Sequence, residues 1–316
     1  LLHCQAIDED ATVWVDGVQV GRHRGGFTPF TLDISDHAAP GQTVTLVIRA
    51  RDDNTRPKPR GKQAREYLPH GVMYPRTTGI WQTVWLEPVP QTYLLRPRIT
   101  PDMANHAFHI QVPLHGSRSN LVVHATLSNV NGHVISRAEV NATSDFTPSL
   151  TLGIPSDQVR LWSPDTPYLY EVRLELQEDV EGRPVIDSLD SYTGLRSITI
   201  DGSAVKLNGK PLFQRLVLDQ GYYPDGIMTA PTDGALQRDI ELAQAAGFNG
   251  ARLHQKVFEE RFLYHADHLG YLVWGEFADW GSSQVGPRRD HHRHGADYVA
   301  QWLDVLERDY SHPAII

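Results

Sequence analysis

The 316 residues of the chain are enough for two or three domains, each with a core of its own. The formal net charge of −9 argues against non-specific nucleic-acid binding, and no apolar run approaches the roughly 20 residues of a membrane span. Cys4 is the only cysteine, which excludes an intramolecular disulfide, and without a recognisable signal peptide a cytoplasmic and a periplasmic or secreted location both stay open.

The first 90 residues are predicted to form short β-strands. Residues 12–15 and 18–20 are rich in β-branched and aromatic side chains and flank Asp16-Gly17, a pattern typical of a hairpin with a two-residue turn. Two further strands and a proline-rich linker follow in chain order, at residues 43–48, 83–87 and 88–97. No long helical pattern interrupts this part of the chain.

A second series of strands fills the next hundred residues. Asn131-Gly132 separates two of the strands and predicts another hairpin turn. Short strands at this spacing favour a β-sandwich of immunoglobulin-like size. The predicted strands cover residues 108–114, 121–127, 133–140, 168–176 and 188–195.

After residue 200 strands alternate with helices, which predicts βα units and a parallel sheet. Thr232 and Asp233 are suitable caps for a first helix, whose apolar face carries Leu236, Ile240 and Ala243. Strands are predicted at residues 212–218, 248–254, 271–277 and 314–316. Two more helices are predicted between these strands, at residues 259–269 and 296–310.

Several motifs in this order resemble glycoside hydrolase family 2, which contains β-galactosidases, β-glucuronidases and β-mannosidases. Residues 11–21 with Gly25-Gly26-Phe27 are similar to the N-terminal jelly roll of that family, and residues 78–87 are similar to its end. The motifs similar to its immunoglobulin-like domain, its barrel entry and its fourth barrel strand begin with Trp162-Ser163-Pro164, Leu207-Asn208-Gly209 and Ser311-His312-Pro313.

The resemblance implies a multidomain fold of β plus α/β type. It places a jelly-roll β-sandwich at residues 1–90, N-terminally incomplete, and an immunoglobulin-like β-sandwich at residues 91–199. Residues 200–316 are expected to be the first, incomplete part of a (β/α)8 TIM barrel. Both ends of the family's chain are therefore expected to lie outside these residues.

The resemblance further implies a hydrolase that cleaves terminal β-glycosidic bonds with retention, using two glutamates and no cofactor. The expected partner is therefore an oligosaccharide or glycoside substrate. Both catalytic glutamates are expected downstream of Ile316, so this segment alone is expected to be inactive. The alternative is a non-catalytic carbohydrate-binding or scaffolding unit. The sequence leaves open whether the protein forms a homo-oligomer.

Arg252 and His254 are the first candidates for substrate binding. They share one face of the second predicted barrel strand, and polar groups inside a barrel need partners because their desolvation is costly. Family members hold the nucleophile carboxylate with an arginine at the position of Arg252, and His254 is expected to bond a substrate hydroxyl. Buried structural partners are the alternative for both.

Four further residues at the ends of predicted strands are candidates for substrate contact. Asp219 suits sugar hydroxyls or a turn cap, and Glu276 suits an active-site role or a structural ion pair. Trp274 and Trp280 suit either sugar stacking or the core. Residues 218–223 and 253–256 depart from the family's motifs, so the identity of the sugar does not transfer.

The run Asp290-His291-His292-Arg293-His294 has the composition of a metal site but not its spacing. Neighbouring histidines point in different directions, and the adjacent arginines repel a cation. A solvated loop is therefore predicted, without a metal. A barrel enzyme of another chemistry, such as a metal-dependent hydrolase, is disfavoured for the same reason.

Overall fold

The structure is a computed structural model that describes residues 1–53, 55–116, 119–281 and 291–316, without the side chains of residues 291–294. The chain forms two compact units. The first unit comprises Leu1–Pro88, Leu216–Leu263 and Val273–Asp309, and the second comprises Val89–Arg215, Tyr264–Leu272 and Tyr310–Ile316. None of the helices in these described ranges is long and apolar enough to span a membrane.

The N-terminal part of the first unit is built from antiparallel strands. Two three-stranded sheets, with the strand orders β5-β1-β8 and β4-β3-β6, and one pair, β2-β7, share an apolar core. The strands are β1 Leu2–Cys4, β2 Ile7–Asp8, β3 Asp10–Val15, β4 Val18–Arg24, β5 Phe30–Leu32, β6 Leu46–Arg51, β7 Gly79–Ile80 and β8 Val84–Leu86.

The predicted hairpin at Asp16-Gly17 is confirmed. Strands β3 and β4 pair antiparallel, with Val15 opposite Val18. The turn residues have φ values of 47° and 83°, the left-handed region that a two-residue turn of this type requires. Glycine tolerates this region at no steric cost, which explains why the turn ends on Gly17.

The two N-terminal family motifs contact each other in the core of the first unit. The indole nitrogen of Trp81 donates to the carbonyl of Gly26 at 2.8 Å, and the ring of Phe27 meets Trp81 edge-on with centroids 5.8 Å apart. A side chain at position 26 would lie 2.6 Å from a carboxylate oxygen of Asp8. The glycine is therefore required by close packing.

The second unit is also mainly sheet. A four-stranded sheet, β14-β13-β18-β19, and a three-stranded sheet, β10-β11-β15, enclose a core that includes Phe108 and Tyr170. Its strands are β9 Tyr93–Leu94, β10 Arg98–Asp102, β11 Ala107–Gln111, β12 Leu114–His115, β13 Leu121–Ser128, β14 Val134–Asn141, β15 Ser149–Gly153, β16 Trp162–Ser163, β17 Thr166–Pro167, β18 Tyr170–Glu178, β19 Val185–Thr193, β20 Ile198–Asp201, β21 Ala204–Leu207 and β22 Lys210–Pro211. A short 3-10 helix covers Ser156–Gln158.

A buried carboxylate holds the C-terminal segment within the second unit. Asp267, which is fully buried, accepts hydrogen bonds from the Tyr192 hydroxyl at 2.8 Å and from the amide of Ala314 at 2.8 Å. His312 Nδ1 lies 2.6 Å from the same carboxylate. The His-Pro-Ala motif is thus fixed by partners far away in sequence.

Three short strands form a sheet of order β23-β24-β25, in which β23 and β24 pair in parallel. Its elements are β23 Leu216–Asp219, α1 Asp233–Ala245, β24 Gly250–Leu253, α2 Glu260–Leu269, β25 Leu272–Gly275 and α3 His291–Asp309. The predicted cap is confirmed, since the Thr232 side chain accepts the amide of Ala235 at 3.1 Å.

Two predictions for the last third of the chain are wrong in part. Residues 291–294 were expected in a loop but form the first turn of α3, while residue 290 lies outside the described residues. Residues 314–316 were expected to be a strand but form a turn with a single bridge residue at Ile315. The amide of Ala314 in this turn donates to the carboxylate of Asp267.

Candidate active site

A cleft of about 660 Å³ opens where β24 and β25 end and α3 begins. Ligand sites of α/β folds commonly lie beyond the carboxyl ends of parallel strands, because the loops there carry the functional side chains. All of its lining residues belong to the first unit. They are Arg252, His254, Gln255, Glu276, Phe277, Asp279, Trp280, Gly295, Tyr298, Val299 and Trp302.

Glu276 is the centre of the polar side of the cleft. One carboxylate oxygen lies 2.6 Å from Arg252 Nε, and the other lies 3.0 Å from His254 Nδ1 and 2.9 Å from Gln255 Nε2. A carboxylate with a charged guanidinium donor forms a strong, directional bond. Three donors therefore fix the orientation of Glu276, whose side chain is 20% exposed.

The contact with Glu276 assigns the tautomer of His254. An ionised carboxylate only accepts hydrogen bonds, so Nδ1 of His254 carries the proton that is shared with Glu276. In the neutral imidazole, Nε2 is then a hydrogen-bond acceptor. An acceptor in a cleft suits the hydroxyl group of a sugar.

Arg252 keeps part of its guanidinium accessible. Its Nε bonds Glu276, yet 48% of its side chain is exposed and the residue lines the cleft. Its Nη2 also lies 3.5 Å from His254 Nδ1, but a guanidinium offers five N–H donors in a fixed fork, so donors remain for a ligand oxygen. Arg252 thus combines an internal ion pair with a surface that faces the cleft.

An aromatic wall completes the cleft. Trp280 meets His254 edge-on, with ring centroids 5.5 Å apart and an interplanar angle of 90°. On the helix side Phe277 packs against Trp302 of α3, with centroids 5.4 Å apart. Amphipathic aromatic surfaces of this kind suit the apolar face of a sugar ring.

Asp219 and Trp274 differ from the other four predicted residues, because neither is among the described lining residues of the cleft. The carboxylate of Asp219 accepts the amide of Gly221 at 2.9 Å, which is the turn-capping contact. Burial raises the pKa of Asp219 above its ordinary value, although the hydrogen bond from Gly221 opposes this shift. Trp274 is 43% exposed in β25.

Lys256 is a buried charged residue near the cleft strands that the sequence did not identify as a candidate. It is 2% exposed. Its ammonium donates to the carbonyls of Gly221 at 2.5 Å and Met228 at 2.6 Å. The rings of Phe258 and Trp81 lie 4.9 and 5.2 Å away, within the range of cation–π attraction. Burial lowers the pKa of Lys256 to about 8, against the opposing effects of nearby carboxylates.

Sequence reasoning also missed Gln255, Asp279 and the helix residues Tyr298 and Trp302. The positions of Gln255 and Asp279, just beyond two parallel strands, carried a usable signal. Tyr298 and Trp302 carried no such signal, because residues at this helical spacing occur equally on a helix face that packs against the core. Within the described ranges, no group of three or more histidine, cysteine or acidic residues is arranged to hold a metal.

Comparisons with known proteins agree with the motifs. A family model described as glycosyl hydrolases family 2 matches residues 92–196. The chain is 26% identical to a β-galactosidase of Thermoanaerobacter pseudethanolicus over 88% of its own length and 37% of that protein. It is 25% identical to a β-glucuronidase of Paenibacillus borealis, over 97% of the chain and 52% of that protein.

Solved structures show the same fold over the whole chain. A β-glucuronidase from Ruminococcus gnavus, in complex with a C6-substituted uronic isofagomine, has a TM-score of 0.80 at 21% identity. A glycosyl hydrolase family 2 member from Bacteroides cellulosilyticus has a TM-score of 0.79 at 24% identity. The chain covers 53% and 41% of these two structures, and so spans about half or less of them.

The mainly β-sheet fold described above is therefore that of family 2 members. The curated relatives carry glycosidase names, and the family model covers the segment that contains the Trp162-Ser163-Pro164 motif. The resemblance that the sequence motifs indicate is thereby confirmed: residues 92–196 match the model of glycosyl hydrolases family 2.

Proposed function

We propose that the protein containing this chain is a β-galactosidase-like glycosidase that hydrolyses terminal β-glycosidic bonds with retention. The observation that carries the proposal is the cleft, in which Arg252, His254 and Glu276 meet the Trp280 wall. Hydrogen-bonding groups beside an aromatic surface are what a sugar ring requires. The glycosidase names of the relatives support the same class of reaction.

We propose a domain order of jelly roll at residues 1–90, immunoglobulin-like sandwich at 91–199 and the first part of a TIM barrel at 200–316. The strand-helix alternation of β23, α1, β24, α2 and β25 supports the barrel. Active sites of such barrels lie at the carboxyl ends of the strands, where this cleft opens.

In a retaining mechanism one carboxylic acid protonates the leaving group while a second carboxylate, about 5 Å away, attacks the anomeric carbon. We assign neither role to Glu276, because three donors hold it in an orienting position. Both catalytic glutamates are proposed to follow residue 316. Arg252 and His254 are proposed to position the substrate and the attacking carboxylate.

The test is turnover of a panel of nitrophenyl β-glycosides, with the anomer of the product followed by NMR. The full-length protein is expected to release product with retained configuration, whereas residues 1–316 alone are expected to release none. Glu276→Gln should lower the activity of the full-length protein, and exposed Glu181→Gln is the matched control. Inversion, or no turnover of any glycoside, would contradict the proposal.

The outcomes also separate the alternative roles. Binding of oligosaccharides without turnover by the full-length protein would favour a carbohydrate-binding protein. Turnover by residues 1–316 that disappears in Glu276→Gln would make Glu276 the acid/base. In that case the orienting role given to its three hydrogen bonds would be wrong.

A further inference from the structure

Gln255 has an unusual position between the two loops of the cleft. It lies two residues beyond the end of β24, its φ of 57° lies in the left-handed region, and the residue is 3% exposed. A non-glycine residue adopts this conformation only where the surrounding structure compensates for its cost. The side-chain contacts of Gln255 supply that compensation.

Its amide group bonds three residues of the segment that follows β25. The nitrogen Nε2 donates to Glu276 at 2.9 Å and to Asp279 at 2.6 Å. The oxygen Oε1 accepts the backbone amide of Trp280 at 2.9 Å. Both amide protons and the carbonyl are thus used within the protein.

The backbone of residues 60 and 61 also bonds the same segment. The amide of Arg60 donates to the Trp280 carbonyl at 3.1 Å, and the amide of Gly61 donates to the Ala278 carbonyl at 3.3 Å. Gly61 has a φ of 59°, and a side chain there would lie 1.9 Å from the carbonyl oxygen of Gln255. Residues 276–280 are therefore bonded both by the Gln255 side chain and by the backbone of residues 60 and 61.

We propose that Gln255 is a positioning residue of the cleft, which holds the Glu276 carboxylate and the Trp280 wall in register with β24. The physical reason is charge. A neutral amide can donate one proton to each of two carboxylates, whereas an acidic side chain would repel both. An apolar side chain would leave Glu276, Asp279 and the Trp280 amide with fewer partners.

The direct test is hydrogen exchange of the Trp280 amide in the full-length protein without ligand. Gln255→Leu removes its acceptor and is expected to raise the exchange rate about tenfold, because the hydrogen bond that closes this amide is lost. Gln255→Glu keeps an acceptor for this amide and should change the rate much less. Gln82→Leu, a buried glutamine that bonds the Val257 carbonyl, is the matched control for lost stability.

The kinetic test rests on the proposed glycosidase function. A positioning role predicts that Gln255→Glu and Gln255→Leu both lower kcat, by about tenfold to a hundredfold, because each variant displaces the orienting Glu276 carboxylate and Gln255→Leu also releases the Trp280 wall. A direct hydrogen bond from Gln255 to the substrate predicts instead a higher KM with an unchanged kcat. That second pattern would overturn the proposal.

The two tests fail independently. Slow exchange of the Trp280 amide in Gln255→Leu would overturn the positioning role whether or not the protein is a glycosidase. If the native protein hydrolyses no glycoside but its Trp280 amide responds as expected, the positioning role is supported and the proposed function fails. Equal acceleration in Gln82→Leu would show general destabilisation and would also overturn the proposal.

Discussion

At the scale of single residues, Lys256 is a charged group whose burial costs free energy. A buried ammonium loses its hydration, and two carbonyl partners with nearby aromatic rings offset this loss only in part. The pKa of about 8 expresses the remaining cost. Lys256 therefore links the stability of the first unit to pH.

The direction of that link follows from the two protonation equilibria. The pKa of Lys256 falls from 10.5 to about 8 on folding, so between these values the unfolded chain holds a proton that the native chain lacks. The free energy of unfolding should therefore rise from pH 8 to pH 10.5, by at most about 3 kcal/mol. Below pH 8 this increment is absent.

The measurement is urea unfolding from pH 7 to pH 11 for the native chain and for Lys256→Met. The variant is expected to lose the rise with pH and to carry a constant offset from its unpaired carbonyls. Lys210→Met, at an exposed lysine, is the control for removing a charge. If the free energy of unfolding still rises with pH in Lys256→Met, other titrating groups cause the rise.

At the scale of elements, the segment around residues 60 and 61 supports the cleft through its backbone, so its sequence is constrained by space. Gly61→Ala should lower the free energy of unfolding, by about 1–3 kcal/mol beyond the cost of placing alanine in a left-handed conformation, because its new methyl group would clash with the Gln255 carbonyl. Urea unfolding measures the difference.

Gly71→Ala is the matched control. Gly71 has a φ of 56°, close to the 59° of Gly61, but a side chain there would meet nothing within 4 Å. Both variants carry the same cost of a left-handed backbone, so the difference between them isolates the clash. Equal losses of stability would mean that the Gly61 contact does not limit the packing.

Local patterns explain what the sequence could predict about these elements. The hairpin at Asp16-Gly17 and the cap at Thr232 each depend on a few adjacent residues, and both are confirmed. The same strand-end reasoning identified Arg252, His254 and Glu276, which the fold brings together. The start of α3 at His291 was missed because residues 291–294, His-His-Arg-His, contain no apolar residue that would show the helical period.

Contacts between distant segments explain what the sequence could not predict. The partners of Gln255 lie 21 to 25 residues away, and its approach to Gly61 has no local signature. Lys256 resembles any surface lysine in a helical or loop sequence. The turn at residues 314–316 depends on Asp267, 47 residues earlier, so an apolar run alone suggested a strand.

At the scale of the whole molecule, an apolar stripe on α3 is exposed to solvent. Val299, Leu303 and Leu306 have the helical spacing of one face and are 59%, 58% and 47% exposed. Contiguous apolar surface of this kind favours association or binding of apolar dyes. The chain of residues 1–316, produced alone, is therefore expected to bind an anilinonaphthalene sulfonate dye and to self-associate.

Substitution tests whether the stripe is the cause. Leu303→Glu should lower both dye fluorescence and the mass measured by light scattering, because it places a charge in the centre of the stripe. Val130→Glu is the control, at a residue 57% exposed beside a hairpin turn of the second unit. An equal effect of the two substitutions would show that the stripe has no special role.

The backbone supports of the cleft also affect the order of events during folding. The amide of Arg60 bonds the Trp280 carbonyl across 220 residues of sequence, and the amide of Gly61 bonds the Ala278 carbonyl across 217. Contacts between such distant residues form slowly, since the closure entropy of the intervening chain must be overcome first. The walls of the cleft should therefore become rigid among the last events of folding. A ribosome would have to complete both stretches before the newly made chain could hold a ligand there.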